Sequence, residues 1–223
     1  MDKPLVTFVT RCCWRPQMLT DAIQSVQNQT RSCWEHLFLV DEQKRGLQWA
    51  NKQFHRHREH VQGEYVFILD DDGRLEDPCF VACLEAFVYM RDYPDVVLTQ
   101  SLAPAPGGGF HYLPLAHVWA VDWGAGERPE KWAGHAYNYV VRADVWKDTI
   151  EAFGKAPRTG GDAFFGTALC QGDYRIEKMD RVVAKSMQRG RARVFESCRP
   201  NWWQVVVRRF GIQQVEGDVW RLP

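Results

Sequence analysis

An apolar run that ends abruptly in three carboxylates constrains the fold of this 223-residue chain more than any other feature. Residues 64–73 have the sequence EYVFILDDDG, in which aromatic and aliphatic residues lead directly into Asp70, Asp71 and Asp72, here called the aspartate cluster. A short apolar run of this length is typical of a buried strand. Adjacent carboxylates repel one another, and such a cluster is tolerable when a divalent cation binds it. The segment therefore predicts a buried strand that ends at a metal site.

Similar apolar runs alternate with helical patterns along the rest of the chain. We predict strands at residues 4–10, 37–40, 65–69, 96–99, 139–141 and 174–176, and helices at 16–29, 77–91, 143–153 and 161–170. This alternation favours the α/β class, as a single domain with a mostly parallel central sheet flanked by helices. Ligands of such sheets bind at the carboxyl ends of the strands. Asp41, which ends the second strand, and the aspartate cluster should therefore lie on one rim.

The metal prediction rests on the order of the three carboxylates. If strand geometry continues past residue 69, the side chains of Asp70 and Asp72 point the same way and Asp71 points oppositely. Oxygen ligands select Mn²⁺ or Mg²⁺, and the ion would bridge to a diphosphate. The alternative is an acidic turn in which Gly73 ends the strand.

The composition is typical of a soluble globular protein, with 45% hydrophobic and 25% charged residues. No apolar run is long enough to span a bilayer, and the first residues lead into a strand rather than a signal peptide. These features predict a cytoplasmic protein. Charge is uneven, because residues 181–223 contain nine Lys and Arg but three Asp and Glu. This segment either binds a polyanion or forms a solvated basic surface.

Four phrases in the first 75 residues carry a family resemblance. They are SVQNQT at 25–30, LFLVD at 37–41, RGLQWAN at 45–51, and GEY at 63–65 followed by the aspartate cluster. Because these phrases occur in this order, the chain resembles the GT-A glycosyltransferases, in particular family 2. The resemblance implies a Rossmann-like GT-A fold and metal-dependent transfer of a sugar from a nucleotide-sugar, most simply a UDP-sugar, to an acceptor hydroxyl. It covers roughly 175 of the 223 residues.

The resemblance also implies roles for individual residues. Asp70 and Asp72 would hold the metal, and a further set would bind the nucleotide-sugar: Thr10, Arg11, Asp41, Arg45, Asn51, Asp70 and Asp71. It further implies domain limits. Residues 1–180 would form the glycosyltransferase domain, with the nucleotide-sugar half at 1–100 and the acceptor half at 101–180. Residues 181–223 would be a basic, Trp-containing C-terminal extension packed on that domain.

Asp162 is the candidate catalytic base. It stands in TGGDAFF, residues 159–165, where family members have a Glu-Asp pair at the start of a helix, and Gly161 replaces the Glu. An inverting transfer needs a base to accept the proton of the acceptor hydroxyl, and a carboxylate also stabilises an oxocarbenium-like state. Asp162 could equally cap the helix N-terminus. The two roles are compatible.

The chain departs from the family in two places. The Asp-Gly-Ser-x-Asp phrase expected after the second strand is replaced by DEQK at 41–44, which puts the ribose contacts in doubt. No histidine follows His135, so a C-terminal histidine ligand is excluded. Lys185, Arg189 and Arg191 are the candidate clamp for the leaving diphosphate, unless they are ordinary surface cations.

Aromatic and polar residues of the second half are the candidates for acceptor binding. They are Trp123, Trp132, His135, Tyr137, Asn138, Trp202 and Trp203. Cations and rings mixed near the C-terminus suit phosphates and exposed bases. The phrase TRCCWRP at 10–16 more loosely resembles small phage-type glycosyltransferases, some of which modify 5-hydroxymethylpyrimidines in DNA. This implies DNA as a partner and acceptor, and a phage-encoded enzyme that acts in a host cell.

Other functions remain open at this point. A saccharide or lipid-linked acceptor is the main rival to DNA. A nucleotidyltransferase also uses paired aspartates and a metal, but it would need a loop richer in Gly and Lys near the first strand. A non-catalytic module on the same scaffold is a further alternative, and it would most simply have lost Asp70 or Asp72.

Overall fold

The computed structural model describes residues 3–12, 15–105, 109–113, 136–156, 161–187 and 202–223, and the side chains of all of these except residues 111–113. Within these ranges the chain forms one large sheet with helices packed against it. No helix of the described ranges is both long and apolar enough to cross a membrane.

Ten strands of the described ranges form the sheet. They are β1 (Val6–Cys12), β2 (Trp34–Val40), β3 (Tyr65–Ile68), β4 (Gly73–Leu75), β5 (Val96–Pro104), β6 (Phe110–Leu113), β7 (Tyr139–Arg142), β8 (Ile176–Ser186), β9 (Gln213–Glu216) and β10 (Val219–Leu222). Their order is β4-β8-β5-β7-β3-β1-β2-β10-β9, and β6 pairs with β5. The first strand is thus at the centre, which explains why β1 is buried along its whole length.

Seven α-helices lie in the described ranges. They are α1 (Pro16–Gln27), α2 (Leu47–Arg56), α3 (Phe80–Met90), α4 (Ala143–Thr149), α5 (Glu151–Gly154), α6 (Gly161–Gln171) and α7 (Trp202–Phe210). Helix α1 follows the predicted pattern, since Pro16 is in its first turn and Leu19, Ile23 and Val26 are buried. Short 3₁₀ turns occupy Arg58–His60 and Ala136–Asn138.

The sheet is mixed, which corrects the prediction of a mostly parallel sheet. Parallel pairing joins β1 to β2 and β3, and joins β5 to β8. The remaining pairings of the described strands are antiparallel, including those of β7, which lies between β3 and β5. An apolar run of four residues predicts a strand but carries no information about its direction, so the sequence pattern could not reveal this reversal.

The C-terminal extension predicted at 181–223 is not confirmed. The boundary at residue 180 falls inside β8, which starts later and runs much longer than the strand predicted at 174–176. Strand β10 pairs with β2, with Val219 opposite Leu39. Helix α7 packs Trp203 against Phe38 of β2. The described parts of this segment therefore contribute directly to the sheet and its core.

Two apolar clusters cover β2. Leu37 and Leu39 belong to the larger cluster, and Phe38 and Val40, which point to the other face of the strand, belong to a smaller one with residues of α1 and α7. Alternate residues of a strand face opposite sides, so the sequence LFLV is buried on both. This two-sided burial holds the end of β2, and with it Asp41, in a fixed position.

Candidate active site

Three parallel strands bring the predicted acidic residues to one edge of the sheet. In the register of β1 with its neighbours, Val9 lies opposite Ile68 of β3 and Cys12 opposite Val40 of β2. Asp41 follows β2 directly, and the aspartate cluster follows β3 after one further residue. The carboxylates therefore lie on both sides of the end of β1, as the sequence predicts for strand ends in an α/β sheet.

Asp70 is held by Arg11 in a buried, two-pronged ion pair. Arg11 Nε donates to Asp70 Oδ1 at 2.7 Å, and Nη2 donates to Oδ2. Its third donor group, Nη1, reaches the side-chain oxygen of Asn51. The guanidinium also lies 5.1 and 5.0 Å from the ring centroids of Phe54 and Phe153. The two parallel hydrogen bonds to Asp70 and the contacts with both rings hold Arg11 in one orientation.

Asp71 and Asp72 share a second arginine. Arg15 donates from Nη1 to Asp72 Oδ2 at 2.7 Å and from Nη2 to Asp71 Oδ1. The condition for the predicted alternation of Asp70 and Asp72 against Asp71 is not met. β3 ends at Ile68 and the chain turns at Asp71, so strand geometry does not continue through the cluster.

Tyr137 completes the contacts of Asp72. Its hydroxyl donates to Asp72 Oδ1 at 2.9 Å. Burial, and then the charges of Asp72 and Asp70, raise the pKa of Tyr137 well above its usual range, so the hydroxyl keeps its proton. The sequence predicts that Tyr137 contacts the acceptor. The structure instead places its hydroxyl on the aspartate cluster.

This arrangement does not fit the predicted Mn²⁺ or Mg²⁺ ion. At least five of the six oxygens of the cluster accept hydrogen bonds from Arg11, Arg15 and Tyr137. A divalent cation bound to Asp70 and Asp72 would lie against two guanidinium groups of like charge. Within the described ranges no group of three or more His, Cys, Asp or Glu residues is arranged to hold a metal.

Asp41 is also engaged, but by different partners. Its Oδ1 accepts from Arg45 Nε at 3.1 Å and its Oδ2 from the backbone N–H of Gly46 at 2.9 Å. Gly46 has φ of +88°, a conformation that favours glycine. Arg45 Nη2 also donates to Asp218 at 3.0 Å, and the guanidinium lies 3.4 Å from the ring centroid of Trp49. Arg45 therefore connects the end of β2 to the turn between β9 and β10.

Thr10 lies inside the sheet rather than on a pocket wall. Its Oγ1 donates to the carbonyl oxygen of Leu69 at 2.5 Å and is 2.7 Å from His36 Nε2. Since the hydroxyl hydrogen is used for Leu69, Nε2 of His36 must donate to Thr10. Burial lowers the pKa of His36 to about 3. Thr10 and His36 thus join β1, β2 and β3 just below the rim.

Asp162 is partly exposed in the first turn of α6. The glycine before it has a structural reason. A Cβ on Gly161 would approach a ring carbon of Phe153 to 2.4 Å, and this ring lies over Arg11. A glutamate at 161, which the family pattern has, would therefore displace the ring that covers the guanidinium. The helix that carries Asp162 is packed next to the Arg11–Asp70 pair through Phe153.

Several other predicted site residues are engaged elsewhere. Trp202 and Trp203 are buried in the smaller apolar cluster, which corrects their predicted role in stacking on an acceptor. Asn138 is buried and donates to the carbonyl oxygen of Thr99 at 2.9 Å. The Lys185 ammonium lies 3.5 Å from the ring centroid of Phe110 and 3.9 Å from Glu76. Trp123, Trp132, His135, Arg189 and Arg191 lie outside the described residues.

Sequence reasoning missed the roles of Arg15 and Phe153. Arg15 could have been noticed, because it is a cation between the end of β1 and a proline-initiated helix, on the edge where the carboxylates lie. Phe153 has no such signal. Its position beside Arg11 depends on long-range packing that no local pattern predicts.

Comparison with solved structures identifies the fold. A fragment of S. aureus TarS, 1–349, aligns with a TM-score of 0.55 at 14% identity, over 81% of this chain and 60% of that one. The same fragment in complex with UDP-GlcNAc aligns with a TM-score of 0.55 at 13% identity, over 87% and 61%. Its complex with UDP gives a TM-score of 0.53 at 13% identity. This chain spans about three-fifths of the fragment's length.

At these identities the likeness establishes the fold alone, a mixed α/β fold that this chain shares with the TarS fragment. No family model and no curated protein matches the chain. The likeness gives no support to the looser resemblance to phage enzymes that modify DNA.

Proposed function

We propose that this protein is a glycosyltransferase that binds a UDP-sugar at the rim between Asp41 and the aspartate cluster. The observation that carries the proposal is the position of the cluster at the carboxyl end of β3, in a fold similar to a protein crystallised with UDP-GlcNAc. Asp41, on the other side of β1, is proposed to contact the nucleoside. Because Asp41 accepts from Arg45 and Gly46, this contact requires Arg45 to move or to be part of the nucleoside pocket.

The proposed reaction is an inverting transfer. The acceptor oxygen forms a bond to the anomeric carbon while the bond from that carbon to the diphosphate breaks, so UDP leaves with the electron pair. Asp162 accepts the proton of the acceptor hydroxyl. The guanidinium groups near the cluster stabilise the negative charge that develops on the diphosphate.

For the acceptor, we propose 5-hydroxymethylpyrimidine in DNA as the first candidate. The support is the excess of Lys and Arg in residues 181–223. In the described part of this segment, Arg208 and Arg209 lie in the last turn of α7. The burial of Trp202 and Trp203 weakens the argument for base stacking. A saccharide acceptor is the rival, and a competition assay separates the two.

A ligand screen followed by an acceptor assay tests the proposal. Thermal unfolding would be followed with UDP, several UDP- and GDP-sugars, and ATP. We expect UDP and at least one UDP-sugar to raise the melting temperature and ATP to have no effect. Duplex DNA with 5-hydroxymethylcytosine or 5-hydroxymethyluracil, and a set of oligosaccharides, would then be offered with the best donor. A chain that responds to ATP and to no UDP-sugar would favour a nucleotidyltransferase and contradict the proposal.

A further inference from the structure

Two guanidinium groups lie at the aspartate cluster, where the sequence predicts a divalent cation. Arg11 is the penultimate residue of β1, and Arg15 directly precedes α1. Both reach across to the end of β3, and between them they contact all three carboxylates of the aspartate cluster. The side chain of Arg11 is 9% exposed and that of Arg15 18%, so neither is a loosely held surface cation.

The charge balance of the cluster is the same as in a metal site. Three carboxylates carry three negative charges, and two guanidinium groups supply two positive charges, as many as one divalent ion would. Unlike a bound ion, a guanidinium group cannot dissociate from the site, and its charge persists because arginine does not lose its proton in proteins. A divalent ion added to this cluster would also meet the repulsion of both arginines.

The two arginines differ in how deeply their ion pairs are buried. Arg11 and Asp70 form the deeper pair, where Arg11 is also held by Asn51 and the rings of Phe54 and Phe153. Arg15 and Asp72 are the more exposed pair, with side chains 18% and 15% exposed. Arg15 is therefore the cation that a ligand at the rim reaches first. A guanidinium can donate two parallel hydrogen bonds to a phosphate group, a geometry that an ammonium lacks.

We infer that Arg11 and Arg15 supply the positive charge that a divalent cation would otherwise bring, so that a nucleoside diphosphate binds at this rim without metal. Arg15 contacts the diphosphate, and Arg11 is a positioning residue that fixes Asp70. This inference rests on the proposed function, because it assumes that the rim binds the diphosphate of a sugar donor. It departs from the metal dependence that the sequence predicts.

The first experiment measures metal and nucleotide binding separately on the wild-type protein. Mn²⁺ would be titrated into the nucleotide-free protein and followed by its electron paramagnetic resonance signal, which falls when the ion is bound. UDP would be titrated calorimetrically in buffers with EDTA or with Mn²⁺ at equal ionic strength. We expect no stoichiometric Mn²⁺ site, and UDP affinities that agree within about twofold between the two buffers.

Variants connect this result to the arginines. Arg15→Gln should weaken UDP binding in EDTA by about tenfold or more, since a charge-assisted hydrogen bond is lost. The control Arg31→Gln removes an exposed arginine that pairs with Glu85, and should leave UDP binding unchanged. Thermal unfolding of each variant checks that it is folded.

The outcomes separate the inference from the proposed function. Stoichiometric Mn²⁺ binding that disappears in Asp72→Asn, or UDP binding that Mn²⁺ tightens by tenfold or more, would overturn the inference and leave the proposed function standing. Equal losses in Arg15→Gln and Arg31→Gln would also overturn it. Failure of UDP to bind in either buffer would overturn both.

Discussion

Carboxylates follow both β2 and β3, and the arginines that pair with them differ in origin and in burial. Both place carboxylates at the rim beside β1, and both neutralise them with arginine. At β3 the arginine comes from the central strand, is buried, and is covered by two aromatic rings. At β2 it comes from the following loop, has a side chain 29% exposed, and is shared with Asp218 near the C-terminus. Both carboxylates are thus buried, but the arginine at the β3 end is buried as well, whereas the arginine at the β2 end is partly exposed.

Removal of the buried arginine tests this contrast most strongly. Arg11→Met leaves the Asp70 carboxylate buried without its partner, and we expect a loss of about 3–5 kcal/mol of unfolding free energy. Arg45→Met, the matched change at β2, should cost less, about 1–2 kcal/mol, because Arg45 is partly solvated and the buried Asp41 keeps its hydrogen bond from the Gly46 N–H. Urea unfolding of both variants gives the comparison. Equal losses would mean that the burial of Arg11 does not make its ion pair more important for stability than that of Arg45.

Acid should destabilise the folded state through the buried contact between His36 and Thr10, which joins β1 and β2 below the rim. His36 of β2 donates to Thr10 of β1, and burial lowers the pKa of His36 to about 3. The unfolded state binds this proton near pH 6.5 and the folded state does not, so stability falls as the pH drops from 6.5 towards 3, by at most roughly 1.4 kcal/mol per pH unit.

The variant His36→Gln removes this titration while an amide N–H can still donate to Thr10. We expect its unfolding free energy to depend less steeply on pH in that window than that of the wild type. Parallel slopes in guanidinium unfolding at several pH values would show that His36 does not carry the effect.

A single methyl group tests the tight packing at the β3 end. A Cβ on Gly73 would lie 2.6 Å from the Tyr137 hydroxyl, which bonds Asp72. Gly73→Ala should therefore cost about 1–3 kcal/mol by overpacking. In the control Gly154→Ala the nearest atom is in the flexible side chain of Lys52, at 3.3 Å, and the change should be neutral or stabilising. A neutral Gly73→Ala would mean that Tyr137 can move away without cost.

Ionic strength should change the stability cost of the two arginine substitutions differently, and this is the smallest effect that we expect. The loss caused by Arg45→Met should shrink as ionic strength rises, because the exposed pair of Arg45 with Asp218 is screened. The larger loss caused by Arg11→Met should persist. Unfolding titrations at low and high salt measure both, and a salt-sensitive Arg11 effect would argue against its burial.

The sequence predicted the carboxylates of both ends but not their partners. Asp41 and the aspartate cluster were found because each follows an apolar run that local pattern reveals. The predicted metal pair, Asp70 and Asp72, assumed that strand geometry continues, whereas the chain turns at Asp71. Arg11 and Arg15 are more than fifty residues away from the carboxylates they contact, so their pairing depends on the register of β1 with β3.

For the fold too, the sequence predicted the local elements but not the pairings that depend on tertiary contacts. The early strands and α1 follow local periodicity, and their positions are confirmed within a few residues. The reversal of β7 and the return of β10 to pair with β2 depend on tertiary contacts. Trp202 and Trp203 show the same limit, because beside several arginines they suggested a ligand surface, yet they fill a core.

Release of UDP from a UDP-sugar tests the central claim most directly. It would be measured for the wild type, for Arg15→Gln, and for Asp180→Asn, which alters an exposed carboxylate that accepts from Gln100. We predict that the wild type and Asp180→Asn release UDP at the same rate and that Arg15→Gln is slower by about a hundredfold, the scale of losing one electrostatic contact to a transition state. Equal rates in all three proteins, or no release from any UDP-sugar by the folded wild type, would contradict the account.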